Sequence, residues 1–377
     1  MKKIFCRGMI LLLVLAFLTG CTPAGNKENN SEKAEPIRTM QLDYATEFSV
    51  DYYTEDYKLI TIKDGGRFLI IPENGTEPQT LSSDIVPLRQ PIGNIYLAAA
   101  AGMSFFDKVD RIDAITATGI KRSSWYIPAA RDAMEAGEIT FAGKYSEPDY
   151  ETLVAGGCPL AIESTMVDRV PEVKEKLGEL GIAVLVDHSS LESHPLGRAE
   201  WIKLYGALLN EEDQAEAVFH EQEKLLAEAS GKSTGKTVAF FYMTKDSVAV
   251  APHADDYISK MIELAGGEYV FNAPDAPARD LATNKIEMES FFAVAQDADY
   301  LIYNSTIYGE LTGLQEMLDK NDMLQNIKAV QEGNVWCTRD EMFQNTTDQG
   351  TMVESLHRIF SGEADALEEV PYFFRLR

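Results

Sequence analysis

The sequence has little of what marks a disulfide-rich domain, a nucleic-acid-binding protein or a multispanning membrane protein. Its four cysteines in 377 residues are too few for a disulfide framework, and Cys158 and Cys337 fall in different halves of the chain. Basic residues number 34 against 60 acidic ones, and the resulting net charge of −26 argues against a nucleic-acid partner. The one long apolar run, Met9–Leu18, is shorter than a membrane-spanning helix requires.

Sequence motifs of enzymes are also missing. There is no G-x-S-x-G elbow, no H-E-x-x-H, no P-loop and no G-x-G-x-x-G. Histidine is scarce, with five in the whole chain. A metal site at His188 and His194 would have only Asp187 and Glu192 as nearby partners. The sequence thus gives no motif that would support an enzyme or a resident cofactor, and we expect neither.

The N-terminus has the pattern of an exported lipoprotein. Basic residues precede the apolar run Met9–Leu18, and Leu18-Thr19-Gly20-Cys21 matches the bacterial lipobox. We expect residues 1–20 to be a signal peptide and Cys21 to be lipidated, which would hold the protein outside the cell membrane. The alternative is a plain secretory signal with a chance cysteine. Residues 21–36 are polar and aperiodic, as expected of a flexible tether.

Short apolar strands alternate with helical patterns on both sides of the middle of the chain. The residues from Met40 to Leu81 come first, and their alternating runs predict a β-meander with a hairpin at Asp64-Gly65-Gly66. After it, an alanine-rich helix is predicted from Asn94 to Phe105. Buried strands alternating with helices then predict an α/β fold with parallel sheets, in residues 37–195 and again in residues 231–377.

Between these halves, residues 196–230 have a helical period. Trp201, Leu204 and Leu208 fall on one apolar stripe, and Asn210 interrupts the pattern before an acidic turn. This predicts either one bent helix or two helices, with Leu196–Leu209 crossing from one lobe to the other and the helix from Glu211 belonging to the second lobe. The alternative is an ordinary helix pair inside one domain.

In an open α/β sheet, ligands bind beyond the carboxyl ends of the strands. Aromatic and basic side chains collect at those positions, which suits an anionic, partly aromatic ligand. The predicted crevice residues are Lys121, Arg122, Trp125, Tyr126, Tyr145, Ser164, Thr165, Met166, Tyr242, Lys245, His253, Asn304, Tyr308, Met342, Phe343 and Gln344. Trp125 stands out, because a tryptophan in a Lys-Arg-Ser-Ser-Trp-Tyr loop has little reason to be a core residue.

Several segments resemble the iron-complex class of substrate-binding lipoproteins of ABC transporters, which bind ferric siderophores, haem or cobalamin. The most specific are Pro-Asp-Tyr-Glu at residues 148–151, LGRAEWIKLYG at residues 196–206 and AVQEGNVW at residues 329–336. The resemblance runs from about Pro87 to near the C-terminus. It implies the class III periplasmic-binding-protein fold, in which two Rossmann-like lobes are joined by a long central α-helix and the ligand lies between them.

The resemblance also implies partners. These are an ABC permease dimer with its ATPase, a small-molecule iron complex, and the membrane through the lipid on Cys21. By motif match, Glu151 and Glu289 would dock the two lobes onto the permease. Two alternatives remain: a lipoprotein that binds a bare zinc or manganese ion, and a lipid-anchored hydrolase of the cell envelope, which would need a nucleophile–base pair.

Overall fold

The computed structural model describes residues 35–271 and 283–377. The predictions for the signal peptide, for Cys21 and for the tether as far as residue 34 lie outside these residues. Within them, no helix combines the length and the apolar character that crossing a membrane requires.

An N-terminal sheet begins the described part of the chain. Its strands pair in sequence order, antiparallel except for the last two, which are parallel. They are β1 (Arg38–Thr39), β2 (Phe48–Tyr52), β3 (Lys58–Ile62), β4 (Gly66–Ile71) and β5 (Ile85–Arg89). The predicted meander and its hairpin are thus confirmed, with Asp64 in the left-handed conformation that a tight turn favours.

The first α/β half has a parallel sheet in the order β12-β11-β6-β7-β8. Its elements are β6 (Ile95–Leu97), α1 (Gly102–Lys108), β7 (Ile115–Thr118), α2 (Pro128–Ala136), β8 (Thr140–Phe141), β9 (Gly143–Lys144), β10 (Glu147–Pro148), α3 (Tyr150–Ala155), β11 (Leu160–Ser164), α4 (Pro171–Glu179) and β12 (Ala183–Asp187). β9 and β10 form a separate small hairpin. Crossover helices between parallel strands place the carboxyl ends of β6, β7, β11 and β12 at one edge of the sheet.

The middle of the chain is helical. α5 (Pro195–Glu200) and α6 (Ile202–Leu209) are separated only by Trp201, whose φ of −57° and ψ of −21° are helical. Asn210 then adopts a left-handed conformation, and α7 (Glu212–Ala229) follows. The interruption of the helix predicted at Asn210 is confirmed, although Asn210 ends α6 and does not cap α7. α7 packs against α6 and against the last long helix of the chain.

The second half has a mixed sheet in the order β16-β14-β13-β17-β18-β20-β19, with β15 beside β13, among the described residues. Strands β15, β13, β17 and β18 are parallel. The elements are β13 (Lys236–Met243), β14 (Ala249–Pro252), α8 (Tyr257–Leu264), β15 (Gly267–Tyr269), β16 (Thr283–Ile286), α9 (Met288–Ala295), β17 (Tyr300–Tyr303), α10 (Leu314–Leu318), α11 (Lys328–Gln331), β18 (Val335–Thr338), α12 (Gln349–Ser361), β19 (Glu369–Val370) and β20 (Phe373–Arg375).

The main hydrophobic core runs through all of these layers. It includes Ile60 of the N-terminal sheet, Ile162 of the first half, Leu204 of α6 and Ile302 of the second half, each fully buried. The residues from Pro36 to Arg377 accordingly form one compact unit. The placement of lobe boundaries at residues 195 and 231 stays a prediction.

One predicted element is wrong. The alanine-rich stretch Asn94–Phe105 does not form a single helix, because Ile95–Leu97 is the strand β6 and the helix begins only at Gly102. β6 is held between β11 and β7 at the centre of the parallel sheet, and the amides of Ala98 and Ala99 donate to the carbonyl of Ile162. The pairing energy of a central strand therefore overrides the helix propensity of alanine.

Candidate ligand-binding site

The loop after β7 forms one side of the site. A 3₁₀ turn at Arg122–Ser124 is followed by Trp125 and Ile127, both with extended backbone. Extended residues alternate in direction, so Trp125 and Ile127 are 1% and 2% exposed while Tyr126 between them is 41% exposed. The expectation that Trp125 is an accessible crevice aromatic and not a core residue is therefore wrong. It lies in the main core.

The two basic residues of this loop differ in their partners. Lys121 is exposed, whereas Arg122 forms an ion pair with Glu135 of α2. Both side chains of that pair are about half exposed or more, so it contributes little to stability. Glu135 nevertheless offsets the charge of Arg122. Lys121 is exposed and is therefore the basic residue of this loop more available to an anionic ligand.

Gln344, in the segment that follows β18, joins the two sides of the site. Its Oε1 accepts from the amide of Tyr126 and its Nε2 donates to the carbonyl of Ser124, each at 2.8 Å. Nearby, the hydroxyls of Ser104 and Thr347 lie 2.6 Å apart. The carboxyl ends of the two sheets therefore meet through side-chain hydrogen bonds that no periodicity in the sequence indicates.

A second set of contacts links the loops of the second half. Glu310, from the loop after β17, accepts from the Nη1 of Arg339 at 3.0 Å and from the amide of Asp340 at 3.2 Å. Burial raises the pKa of Tyr126, and the nearby carboxylate of Asp340 raises it further. Asp340, which the sequence reasoning missed, is thus within electrostatic reach of the Tyr126 hydroxyl. The loops after β7, β17 and β18 thus converge.

Three exposed aromatic side chains stand on these converging loops, and we call Tyr126, Tyr308 and Phe343 the aromatic rim. Their exposed fractions are 41%, 48% and 40%. Tyr308 also packs edge-on against Tyr242, with ring centroids 5.9 Å apart. Burial raises the pKa of Tyr242, so this phenol is neutral and available as a hydrogen-bond donor at neutral pH.

Other predicted crevice residues take different positions. Met342 is a core residue at 2% exposure, so its prediction as a crevice residue is wrong. Asn304 is buried, and its Oδ1 caps its own loop by accepting from the amide and the hydroxyl of Thr306. Lys245 is exposed in the turn between β13 and β14. Met166, after β11, is 37% exposed.

The remaining members of the predicted set are partly or fully buried. Tyr145, Ser164 and Thr165 are of intermediate exposure. His253 is 7% exposed, and its Nε2 has no hydrogen-bond partner among the described residues. Ser164 and Thr165 lie at the carboxyl end of β11 and so at the expected edge of the sheet.

Sequence reasoning also passed over Glu163, in β11. Its side chain is fully buried, and within the described chain neither carboxyl oxygen has a hydrogen-bond partner. Burial raises the pKa of Glu163 to about 8, so its carboxyl is largely neutral at pH 7. The signal that could have found it is an acidic residue inside the apolar run Leu160–Ser164.

The two predicted docking glutamates occupy equivalent places in the two halves. Glu151 lies in the first turn of α3 and Glu289 in the first turn of α9, and both are exposed. Asp149 caps α3 by accepting from the amide and hydroxyl of Thr152, and the hydroxyl bond holds the pKa of Asp149 below its usual range. Glu151 is therefore not needed as the cap and is free for another role.

The histidine and carboxylate side chains do not converge on a metal site in the described part of the chain. Over residues 35–271 and 283–377 no group of three or more His, Cys, Asp or Glu side chains is arranged to hold a metal ion. The Nδ1 of His194 accepts from the amide of Leu196, and its ring stacks on Tyr44 at 4.7 Å. Burial lowers the pKa of His194, and the charge of Lys260 lowers it further.

These features define a class of protein: an α/β protein in which loops at the carboxyl ends of parallel strands from two sheets meet through side-chain hydrogen bonds. Residues 107–342 match the family model described as periplasmic binding protein. The chain belongs to the periplasmic binding protein family.

Similarities to individual proteins are consistent with this family. The chain is 25% identical over 381 residues to the uncharacterized lipoprotein MJ0878 of Methanocaldococcus jannaschii, covering 91% of this chain and 89% of that protein. The structure is similar to the periplasmic haem-binding protein HutB of Vibrio cholerae, with a TM-score of 0.56, 17% identity and coverage of 70% of this chain and 97% of that one. It is also similar to the catecholate-siderophore binding protein VctP of Vibrio cholerae, with a TM-score of 0.56, 11% identity and coverage of 73% and 95%. The two solved structures support the fold assignment: class III of the periplasmic binding proteins.

Proposed function

We propose that this protein is the substrate-binding component of an ABC importer and captures a ferric siderophore or a related iron or tetrapyrrole complex. The ligand binds between the two halves, against the aromatic rim, and is delivered to a permease dimer. The protein is held outside the cell membrane by a lipid on Cys21 and performs no catalysis. Family membership supports the binding role, and the names of similar structures support the ligand class.

The observation that carries this proposal is the aromatic rim at the junction of the two sheets. Tyr126 comes from the first half, while Tyr308 and Phe343 come from the second, and the hydrogen bonds of Gln344 hold the two sides together. Flat aromatic faces provide large contact area for a planar or chelated ligand at a small cost in side-chain entropy. Exposed aromatics gathered at the carboxyl ends of two sheets are typical of a ligand site.

A thermal-shift and calorimetric screen of the full-length chain in detergent tests the proposal. The probes are ferric citrate, a neutral ferric tris-hydroxamate chelate, haem and cyanocobalamin, because a ligand that binds the native state raises its melting temperature. We expect at least one probe to bind. Replacing Tyr308 or Phe343 by alanine should lower the affinity for it about tenfold, since buried aromatic contacts dominate such sites.

A matched control is Leu180→Ala. Leu180 is also an exposed apolar residue at 37%, but it ends α4 at the amino edge of the first sheet, away from the rim. It should leave affinity unchanged. Stabilisation by zinc or manganese salts alone, with no response to any chelate, would contradict the proposal in favour of a bare-metal receptor.

A further inference from the structure

Arg198 is a buried cation with an unused hydrogen-bonding edge. It lies in α5, is 7% exposed, and its guanidinium carbon sits 3.9 Å from the centre of the Tyr257 ring. Its Nη1 donates to the carbonyl of Ser190 at 3.1 Å, whereas its Nε is buried without a partner. Within residues 35–271 and 283–377, no carboxylate approaches Arg198 within the 4.0 Å of an ion pair.

Asp256 is an acidic residue whose charge interacts with that of Arg198, but its side chain has another role. Asp256 caps α8, because its Oδ1 accepts from the amide of Ile258 at 2.8 Å. Burial raises the pKa of Asp256, while the charges of Arg198 and His253 lower it, which places both groups within its electrostatic reach. Arg198 is thus close to a carboxyl group that does not pair with it directly.

Burying a cation without a directly paired counterion costs free energy in a folded protein. This cost is unexpected in a chain with 60 acidic and 34 basic residues, since acidic partners are abundant. Arginine presents its Nε and a neighbouring Nη as a planar fork that matches the two oxygens of a carboxylate. The Nε edge of Arg198 can therefore donate to an oxyanion that the described chain does not provide.

The elements packed around α5 carry further buried polar atoms without partners. α5 packs against α8, against α12 and against the turn Thr346–Asp348. Thr346 Oγ1 and Gln349 Oε1 lie on two of these elements, and His253 Nε2 lies just before the third, all without hydrogen-bond partners among the described residues. Buried polar groups are almost always satisfied, so these atoms on the elements around α5 call for a polar partner that the described chain does not provide.

We propose that Arg198 is the anion subsite of the crevice and that it takes a carboxylate group of the bound ligand. This inference rests on the proposed function and narrows it. The ligand is a carboxylate-bearing iron complex, either a citrate-type chelate or a haem with its two propionates, and not a neutral hydroxamate chelate or a cobalamin. His253 and Thr346 contribute hydrogen bonds to the same group, and Tyr257 fixes the plane of the guanidinium.

Affinity measurements on substituted full-length protein in detergent test the subsite. Arg198→Met keeps the apolar stem over Tyr257 and removes the charge, while Arg198→Lys keeps the charge and removes the fork. For whichever of ferric citrate and haem the wild type binds, Arg198→Met should weaken binding about 10- to 100-fold, as expected for lost charged hydrogen bonds. The affinity of Arg198→Lys should lie between those of the wild type and Arg198→Met. Any affinity for the neutral ferric tris-hydroxamate chelate should change less than about threefold.

The chain supplies a matched control in Arg375. Its guanidinium also lies over an aromatic ring, that of Trp336 at 4.8 Å, its Nη1 also donates to a backbone carbonyl, and its Nε is also unpaired. It pairs in register with Trp336 near the start of β18, at the opposite edge of the sheet from the crevice. Arg375→Met should leave every affinity unchanged, with far-ultraviolet circular dichroism showing that all variants are folded.

The possible outcomes separate this inference from the proposed function. Loss of carboxylate-bearing ligands in Arg198→Met, with neutral ligands spared, supports the subsite. Equal affinity of wild type and Arg198→Met for ferric citrate and haem overturns it. Binding of only the neutral chelate or cobalamin by the wild type overturns the subsite and leaves the proposed function standing. Failure of the wild type to bind any iron complex or cobalamin removes both.

Discussion

Glu163 shows how one residue can make stability depend on pH. The carboxyl group is buried in β11, between the sheet and the helices that cover it, with Tyr96 and Tyr150 as the titratable neighbours that respond to its charge. Between pH 4.5 and about pH 8, the Glu163 carboxyl group has lost its proton in the unfolded chain but keeps it in the folded chain. The unfolded state then binds fewer protons, so the free energy of unfolding falls as pH rises through this window.

We predict that Glu163→Gln removes this dependence. The wild type should lose about 3 kcal/mol of stability between pH 5 and pH 7.5 through this group, since each unit of pKa shift corresponds to about 1.4 kcal/mol. The variant should be the more stable protein at pH 7.5 and nearly equal at pH 5. Urea unfolding at both pH values measures the difference. Glu172→Gln, at an exposed residue of α4, is the control and should follow the wild type.

Individual side chains were the hardest level to predict from the sequence. Most predicted positions follow a parallel strand, but Tyr242 lies inside β13 and His253 follows the antiparallel strand β14. Whether a side chain after a strand faces the crevice or the core depends on turn geometry. Trp125 and Met342 point inward because of the turns beside them, whereas Tyr126 and Phe343, one residue along, are exposed. A loop has no fixed period, so sequence alone cannot assign its faces.

At the scale of elements, two carboxylates fasten the N-terminal segment to the central helices. Glu200, in α5, accepts from the amides of Asp43, Tyr44 and Ala45. Glu192, just before α5, accepts from the next two amides in the chain and from the Nε1 of Trp201. Five consecutive amides are therefore satisfied by two buried side chains, in a segment that precedes β2 and belongs to no strand.

We predict that Glu200→Ala destabilises the protein by about 3 kcal/mol, because it leaves three partly buried amides without their acceptor and removes one of the two carboxylates that pair with Lys203. Chemical unfolding measures the loss, and limited proteolysis should cut near Tyr44 earlier than in the wild type. Glu216→Ala is the control, because Glu216 also pairs with Lys203 but is largely exposed. A loss below about 1 kcal/mol for Glu200→Ala would show that the segment is held by other contacts.

Elements with strong periodicity were predicted closely. The alternation of strands and helices predicted for residues 231–377 is observed, and β17 at residues 300–303 and α12 at residues 349–361 are among its elements. β20 was missed, because it is a three-residue strand that pairs with β18 at long range. Short strands are defined by their partners and not by their own residues, which is also why β6 was mistaken for the start of a helix.

At the scale of the whole molecule, the two halves present matching surfaces. α3 and α9 each precede a central parallel strand, β11 and β17, and each carries an exposed glutamate in its first turn. A partner with two-fold symmetry could engage both sites at once, since it offers the same surface twice.

We predict that the double variant Glu151→Ala, Glu289→Ala keeps its ligand affinity but abolishes uptake. Both carboxylates are exposed and outside the aromatic rim, so their loss should not alter the crevice. A permease that contacts both halves through these glutamates would lose two charge contacts. Calorimetry of the purified protein measures affinity, and accumulation of labelled iron complex by cells measures uptake. Glu172→Ala, Glu332→Ala removes two other exposed glutamates, one from each half, and should transport normally. Normal uptake by the first variant would show that these glutamates are only helix-terminal charges that favour the helix dipole.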